Sequence, residues 1–466
     1  MTLPKIGCPF SINTKNPCAH HNHYIASRKF NRMNQQTRLC ILSLLLLTAC
    51  LQSFSQNNPD TLAATHLIDL GEVTNSNEDF SSFEPLKETL KNGEIVMLGE
   101  QSHTEGTVFE TKIKLIKFLH QEMGFDLLVF ESGLYDCTTG WEKIKNGEEV
   151  RTTLAKSSFY IWSATKEFIP LAAYIESNKN SKNPLIISGF DSQFTGRISA
   201  FEFVDDLKTY LASVDTTLLE SQEWTKLEKS LQSVLIYDTR AYEKEQAARD
   251  TAFINTLSNQ IIANDSAAMF WTQVLKNTKY LISDMKLGTN FRDRQMAENL
   301  VWIKEQNPGK KIICWGATSH FLYNSSEIRL IGFPYNLIGR YYRKQPMMGH
   351  YIKEKYQSKV FTIGFVAYQG TYGFNRTSKI KPPGKNSLEY TIGSFGLDNC
   401  FLSFENFDSG EMISRPLGNK YMKNKISNVM DGVIFNRNVA RSHLDHDFTR
   451  KVYIQNTASK PNVVNE

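Results

Sequence analysis

The chain has 466 residues, of which 41% are hydrophobic and 12% aromatic, so it can bury a large core and is neither disordered nor fibrous. Its 53 Lys and Arg residues are nearly balanced by 48 Asp and Glu residues. Because no basic stripe or RNA-binding signature is present, we expect no nucleic-acid partner.

Residues 1–56 have the character of a targeting segment and are left out of the predicted fold. Their apolar run, Leu39–Leu47, is shorter than the ~20 residues that a membrane-spanning helix requires, which indicates an export signal. Two processing sites are open. The sequence Leu-Thr-Ala-Cys is similar to a bacterial lipoprotein signal that would place a lipid anchor on Cys50, whereas Ser53–Gln56 suits ordinary cleavage. Both predict an exported protein, either periplasmic or anchored to the membrane.

The first part of the fold, residues 57–199, contains a predicted βαβ unit. A first helix is expected over Phe83–Asn92, and the apolar run Ile95–Leu98 predicts a buried parallel strand. The helix that follows ends near Gly124 and has its apolar residues at steps of three and four, namely Val108, Ile113, Leu115, Ile116, Leu119 and Met123. A second buried strand over Leu127–Phe130 completes the unit.

Polar residues with catalytic chemistry follow the predicted strands. Glu100 and His103 come after the first strand, and Glu131 comes directly after the second. A third strand ends at Asp191, and a fourth, starting at Lys311, runs into a segment that ends with His320. Each of these polar residues, taken alone, is explained as a solvated loop residue or a helix cap. Packing gives no reason, however, for an acid to follow a buried strand directly, and this occurs more than once. Since parallel strands end at one edge of a sheet, we expect a shared site there.

The rest of the chain predicts the remaining layers of an α/β, three-layer fold with a mainly parallel central sheet. Residues 200–290 predict long helices with few Gly or Pro residues, an insertion that suits a lid over the site. Residues 291–458 predict the second part of the α/β domain, beginning with a helix from Arg292 to about Gln306, and residues 459–466 a polar tail. A smaller β-rich part is expected from four strand candidates, Asn336–Ile338, Val360–Val366, Cys400–Phe404 and Gly432–Phe435.

Four motifs carry a family resemblance. They are the sequence GE-x-x-H at Gly99–His103, the acid Glu131, the sequence RD-x-x-MA-x-N at Arg292–Asn299, and W-x-x-x-x-H at Trp315–His320. In their order and spacing the chain resembles the erythromycin esterase family over most of its length beyond the leader. This resemblance implies an α/β hydrolytic protein in which His103 is the general base for water and no covalent nucleophile is used. The family's substrates are the lactones of macrolide antibiotics.

The residues themselves support the same chemistry. His103 has the right kind of side chain for a general base, and either Glu100 or Glu131 can accept its other ring N–H and stabilise the imidazolium. Arg292 can hold a carboxylate or an oxyanion, and His320 is a second candidate proton carrier. Further candidate substrate-binding residues are Lys112, Asp191 and Arg294. Because no Gly-x-Ser-x-Gly sequence occurs, a serine hydrolase is not expected.

Two departures from the family pattern concern the substrate. The esterases of the family usually carry an arginine where this chain has Lys112, and they often carry a histidine where this chain has Ala317. A planar guanidinium fork is thereby replaced by a point charge, and one site histidine is lost. We therefore expect a small-molecule ester or lactone as substrate, and not specifically a macrolide.

Two alternatives from other functional classes stay open. No cofactor is expected, but His103, His320 and the acids Glu100 and Glu131 are ligand types that a divalent metal ion accepts, so a metal-dependent hydrolase is one alternative. A non-catalytic exported binding protein is the other.

Overall fold

The computed structural model describes a large part of one compact unit, Leu62–Glu466, over residues 66–73, 78–262, 265–332, 334–405 and 410–454. The predicted targeting segment 1–56 and the polar tail 459–466 lie outside the described residues. Within the described residues, no helix combines the length and the apolar character that crossing a membrane requires.

The strands are β1 (Leu67–Asp69), β2 (Ile95–Glu100), β3 (Leu127–Gly133), β4 (Ile186–Asp191), β5 (Ile312–Ala317), β6 (Val360–Tyr372), β7 (Ser378–Ile380), β8 (Asn399–Ser403), β9 (Glu411–Leu417), β10 (Lys420–Lys425) and β11 (Gly432–Val439). The main sheet has the order β1-β8-β11-β6-β2-β5-β3-β4, and β7 pairs with β6. The strands from β11 to β4 in this order run parallel, whereas β7 and β8 are antiparallel to their neighbours. A separate antiparallel hairpin consists of β9 and β10. The predicted mainly parallel sheet with a small β-rich C-terminal part is confirmed.

The α-helices of the described residues are α1 (Leu86–Leu90), α2 (Gly106–Met123), α3 (Leu134–Lys145), α4 (Val150–Ser157), α5 (Tyr160–Ser163), α6 (Ile169–Asn178), α7 (Ile198–Val214), α8 (Gln222–Val234), α9 (Lys244–Gln260), α10 (Ser266–Lys286), α11 (Arg292–Gln306), α12 (Thr318–Phe321), α13 (Tyr335–Lys344), α14 (Met348–Tyr356), α15 (Leu388–Ser394) and α16 (His446–Thr449). The segment 200–290 contains most of α7 and all of α8 to α10. Its proposed action as a lid stays a prediction.

Most helix and strand predictions agree with the structure. Gly124 adopts a left-handed conformation, φ +70°, and its N–H bonds to the Leu119 carbonyl, which ends α2 where the periodicity predicted. The prediction of a helix from Arg292 to Gln306 is confirmed as α11. The three later strand candidates, beginning at Val360, Cys400 and Gly432, lie in β6, β8 and β11.

One predicted helix is shorter in the structure, and one predicted strand was wrong. The first helix is limited to α1, because Ser81–Phe83 forms a separate 3-10 turn and Pro85 stands at the helix N-cap. The predicted strand Asn336–Ile338 lies inside α13. A short apolar run does not by itself distinguish a strand from a helix, and Pro334 at the N-cap of α13 suits a helix start because an N-terminal N–H has no partner within the helix.

The sheet is covered on both faces, which gives the predicted three layers. Along β2, Val96 and Leu98 belong to one hydrophobic cluster while Ile95 and Met97 belong to another, as the alternation of side chains along a strand requires. Helices α2 and α6 pack in the first cluster, and α7 to α11 pack in the second. A third cluster lies in the C-terminal part, among β8, β11 and the hairpin. The helices of segment 200–290 therefore share a core with the sheet.

Candidate active site

Three acids lie at the carboxyl ends of parallel strands, at one edge of the sheet. Glu100 ends β2, Glu131 lies near the end of β3, and Asp191 ends β4. Strand β5 runs between β2 and β3, and Glu100 is paired in register with Ala317 at the end of β5. Glu100 and Glu131 thus flank the end of β5 on opposite sides. The sheet order places them in two adjoining groups of charged residues.

The first group is built around His103. Its Nδ1 lies 2.8 Å from Oε1 of Glu100, a carboxylate that is fully buried. The imidazole makes edge contacts with the rings of Phe159 and Trp162, at centroid distances of 5.7 and 5.4 Å. The side chain of His103 is nevertheless 31% exposed, and its Nε2 has no hydrogen-bond partner among the described residues. With Nδ1–H donating to Glu100, Nε2 is the basic nitrogen that faces outward.

Glu100 is held by two further donors. Trp162 donates Nε1–H to Oε1 over 2.8 Å, and the ammonium of Lys112 forms an ion pair with Oε2. Lys112 is completely buried, and its Nζ also donates to the carbonyl of Gly316 over 3.2 Å and lies 4.9 Å from the ring centre of Trp315. Burial lowers the pKa of Lys112, although the charge of Glu100 opposes this effect. Lys112 therefore lies beneath Glu100, where a substrate cannot touch it.

The second group is built around Arg292. Its Nε and Nη2 donate to the two carboxylate oxygens of Asp191 over 3.0 and 2.7 Å, a bidentate pair. Its Nη2 also lies 3.2 Å from Oε1 of Glu131. One guanidinium thus joins the ends of β3 and β4 to the first residue of α11.

His320 is held between two carboxylates. Its Nδ1 lies 2.7 Å from Asp293 and its Nε2 lies 3.2 Å from Oε1 of Glu131. Burial acts to lower the pKa of His320, but the charges of Asp293 and Glu131 outweigh it and raise the pKa to about 10. Nη1 of Arg292 lies 3.4 Å from Nε2 of His320, and both groups are donors. Glu131 offsets the repulsion between these two cations because it is bonded to both. Near neutral pH His320 is an imidazolium and does not act as a base.

Glu131 also accepts a backbone hydrogen bond. Its Oε2 accepts from Ala317 N–H over 2.7 Å. Gly316 makes this approach possible, because a Cβ at that position would lie 2.9 Å from Oε2 of Glu131 and 2.8 Å from the ring of Phe321. Burial acts to raise the pKa of Glu131, yet the charges of His320, His103 and Arg292 hold it well below its usual range. Glu131 is an ionised, buried carboxylate.

The balance of charge acts on His103. The two groups contain four carboxylates, and the basic side chains paired with them besides His103 are Lys112, Arg292 and His320. Burial acts to lower the pKa of His103, but the hydrogen bond to Glu100 and the charge of Glu131 more than offset it, so the pKa lies above 6.5. His103 is consequently a stronger base than a free histidine.

The structure brings together Glu100, His103, Glu131, Asp191, Arg292 and His320, which are six of the eight residues selected from the sequence. Lys112 is adjacent but buried. Arg294 is not part of the site: its side chain is 57% exposed and pairs with Glu298 over 3.1 Å, one turn further along α11.

Three residues with direct roles in this geometry were not selected from the sequence. Trp162 donates to Glu100 and belongs to none of the four sequence motifs. Asp293, which holds His320, stood beside Arg292 in the RD-x-x-MA-x-N motif, so a signal was present. Asn419, at the β9–β10 turn, accepts from Gln101 over 2.9 Å and donates to Glu105 over 2.6 Å. It fixes both ends of the loop that carries His103, and no local sequence pattern indicated that contact.

The donor set does not suit a metal ion. Glu100 and Glu131 already accept from cations and N–H groups, and both nitrogens of His320 are bonded to carboxylates. Over the part of the chain that the structure describes, no cluster of three or more His, Cys, Asp and Glu side chains has an arrangement that would hold a metal. A histidine base supported by carboxylates and cations is the chemistry that this arrangement offers.

The fold defines an α/β protein whose sheet edge carries a histidine paired with a buried carboxylate. Residues 120–443 match the family model described as Erythromycin esterase, and the chain belongs to that family. The matched residues include Glu131, Asp191, Arg292 and His320, and begin after Glu100 and His103.

Two relatives of known name are similar over most of the chain. YbfO, a proposed hydrolase of Bacillus subtilis (strain 168), is 28% identical over 406 residues, which cover 78% of this chain and 87% of the relative. Erythromycin esterase type II of Escherichia coli is 20% identical over 405 residues, which cover 78% and 93%. Family membership supports a hydrolase of this family.

Solved structures share the fold. A succinoglycan biosynthesis protein superposes with a TM-score of 0.68 at 17% identity, covering 84% of this chain and 99% of that one. A mutant of the erythromycin esterase EreC, in its open conformation, superposes with a TM-score of 0.63 at 17% identity, covering 81% and 99%. At such identities the likeness concerns the fold alone.

Proposed function

We propose that the protein hydrolyses a carboxylic ester or a lactone with a water molecule activated by His103. The observation that carries the proposal is the pairing of His103 Nδ1 with buried Glu100, which leaves Nε2 free of protein partners among the described residues, on a partly exposed side chain. Membership of the erythromycin esterase family supports the reaction class.

The reaction needs no covalent intermediate. Nε2 of His103 removes a proton from water while the water oxygen attacks the ester carbonyl, and the carbonyl electrons move to oxygen. Glu100 stabilises the imidazolium that forms, and Arg292 and His320 are the candidate cations for the oxyanion. When the C–O bond breaks, the imidazolium returns its proton to the departing alkoxide. An ester and water thereby become an acid and an alcohol.

The predicted export signal adds a proposed location. A protein processed at Cys50 or near Gln56 would act outside the cytoplasmic membrane, where it would meet antibiotics and esters of the cell envelope. Processing at Cys50 would also attach a lipid anchor.

A panel of model esters tests the proposal. Purified protein is incubated with neutral nitrophenyl esters and simple lactones, with and without a chelator. We expect hydrolysis that the chelator does not change, because the carboxylates are already paired with cations. Loss of activity with the chelator, restored by a divalent metal, would favour the metal-dependent alternative. Absence of any hydrolysis by folded protein would favour the binding-protein alternative.

Macrolides are expected to be poor substrates. Lys112 holds Glu100 through one ammonium, where a guanidinium would form a fork, and Ala317 can neither donate nor accept a side-chain proton. We predict that erythromycin is opened slowly or not at all, and that a different ester or lactone reacts faster. Mass spectrometry detects opening as the gain of one water. Rapid turnover of a 14-membered macrolide would contradict this prediction.

The pH dependence follows from the raised pKa of His103. The base acts only when neutral, so kcat/KM for a neutral ester should rise with pH through a pKa above 6.5. The same shift affects stability with the opposite sign. Protonated His103 is favoured in the folded state, so its contribution is complete below about 6.5 and is lost as pH rises through the folded pKa. A rate profile with its midpoint at or below 6.5 would show that His103 does not feel the neighbouring carboxylates.

A further inference from the structure

Two cavities, together called the cleft, lie on the side of the molecule formed by α5, the start of α7 and the segment after α8, and they share part of their walls. Their volumes are about 800 and about 920 Å³, and both are lined by Tyr160, Thr195, Arg197, Ile236 and Tyr237. Volumes of this order suit a small-molecule ligand. The strand-end acids do not line either cavity, so this space is available for the part of a substrate that does not react.

Aromatic contacts connect these cavities to the proposed base. The ring of Tyr160 lies 5.7 Å from that of Phe159, and Phe159 lies 5.7 Å from the imidazole of His103. On the backbone side, Thr195 Oγ1 accepts from Gly133 N–H, two residues beyond Glu131. The cavity wall at Tyr160 is therefore separated from the imidazole of His103 by one aromatic ring, that of Phe159.

The rim of the cavities is unusually apolar for an exposed surface. Four large side chains there are 39–46% exposed, Tyr160, Phe201, Ile236 and Tyr237. An exposed apolar patch around a concave space is typical of a binding site for an apolar group. Tyr237 also has a left-handed backbone conformation, φ +55°, which a bulky residue rarely adopts.

Arg197 is the charged residue that lines both cavities. Its guanidinium carbon lies 5.2 Å from the ring centre of Phe201 and 5.5 Å from that of Tyr453. Within the described residues, its side chain has no ion pair or hydrogen bond. The adjacent N-terminus of α7 is already capped by the carboxylate of Asp136, which accepts from Ser199 N–H over 2.7 Å. A guanidinium stacked on aromatic faces presents its N–H edge for a bidentate acceptor.

The acids of the first cavity lie away from Arg197. Asp205 is eight residues further along the chain, which corresponds to about 12 Å along α7. Glu228, on α8, is paired with Lys208. The second cavity contains one acid, Asp238, whose carboxylate accepts from the N–H groups of Arg240 and Ala241. The first cavity thus has a cationic end at Arg197 and an acidic end toward α8.

We propose that this cleft binds amphipathic substrates with an apolar chain and a carboxylate, and that Arg197 holds the carboxylate. The assignment rests on the proposed ester hydrolysis and specifies its substrate class. The apolar chain lies against Phe201, Ile236 and Tyr237, while the ester reaches His103 past Tyr160. Arg197 then determines specificity and takes no part in bond breaking.

Binding is measured first, because it does not depend on catalysis. Calorimetric titration with decanoate and with decan-1-ol compares a carboxylate with a neutral group on the same chain. For the unaltered protein we expect tighter binding of decanoate. In Arg197→Met that preference should fall about 10- to 100-fold, as expected for the loss of charge-assisted hydrogen bonds, and Arg197→Lys should keep part of it. Equal binding of decanoate by the unaltered protein and Arg197→Met, or no binding at all, would overturn the assignment.

Catalysis is measured second, with nitrophenyl monoesters of dicarboxylic acids of increasing chain length and with neutral esters of matched length. For the unaltered protein we expect a higher kcat/KM for an anionic ester of one chain length than for the neutral ester of the same length. In Arg197→Met this preference should be lost because KM for the anionic ester rises. The control variant Arg294→Met should keep the preference. If esters are hydrolysed but decanoate binding does not depend on Arg197, the assignment of the cleft to carboxylates is wrong and the proposed ester hydrolysis stands. Arg197-dependent binding of decanoate without hydrolysis of any ester refutes the proposed reaction alone.

Discussion

His103→Ala is expected to reduce kcat/KM for ester hydrolysis at least ~10²-fold, the effect typical of losing a general base. The protein should stay folded, because the side chain is partly exposed and loses only two edge contacts with aromatic rings and one hydrogen bond. Glu100 keeps two of its three partners in this variant, Lys112 and Trp162, so no buried charge is left unpaired. Circular dichroism and a melting curve establish the fold, and nitrophenyl ester turnover gives the rate.

A second histidine provides the matched control. His120 lies near the end of α2, where its Nδ1 is 2.6 Å from the Tyr174 hydroxyl and its Nε2 is 3.1 Å from the Asn183 carbonyl. His120→Ala removes these structural hydrogen bonds, so it should lower the melting temperature and leave the rate nearly unchanged. If the folded His103→Ala variant kept full activity, His103 would have no part in the mechanism.

The placement of the three acids at one edge of the sheet was predictable from the sequence, because each strand end is indicated by the residues next to it. Apolar runs that stop at Glu100, Glu131 and Asp191 identify strand ends, and parallel strands joined by helices place those ends together. The structure confirms this arrangement. The partner of His103 was not predictable, because the choice between Glu100 and Glu131 depends on which strand lies between β2 and β3. That strand, β5, comes from a point in the chain about 180 residues later than β3, and no local pattern indicates such a pairing.

Two differences within the site have other physical origins. Successive helix residues are about 100° apart, so Arg292 and Arg294 point in different directions, and only the first faces the cluster. Helix geometry alone could have identified that difference. Asn419 is different, because its contact with the His103 loop depends on how the β9–β10 hairpin packs against a loop more than 300 residues earlier. Such a contact is determined by tertiary packing and leaves no periodic signal.

Arg292→Met should have the largest combined effect on rate and stability. It removes the only side chain that bonds to both Asp191 and Glu131 among the described residues, and leaves two buried carboxylates with fewer partners. Breaking a buried ion pair by removing one partner typically costs about 3–5 kcal/mol of folding free energy. Losing a cation beside the oxyanion should lower kcat by about 10²-fold or more. Chemical denaturation gives the free energy of unfolding, and single-turnover rates give the chemical step.

Two substitutions separate charge from geometry. Arg292→Lys keeps the charge but cannot donate to both oxygens of Asp191 and to Glu131 at once, so it should recover part of the stability and little of the rate. Arg294→Met, on the same helix, breaks only an exposed pair with Glu298, which contributes about 1 kcal/mol or less. It should leave both measurements nearly unchanged. If Arg292→Lys restored the full rate, positive charge alone would suffice at this position, and the bidentate hold on Asp191 would be structural.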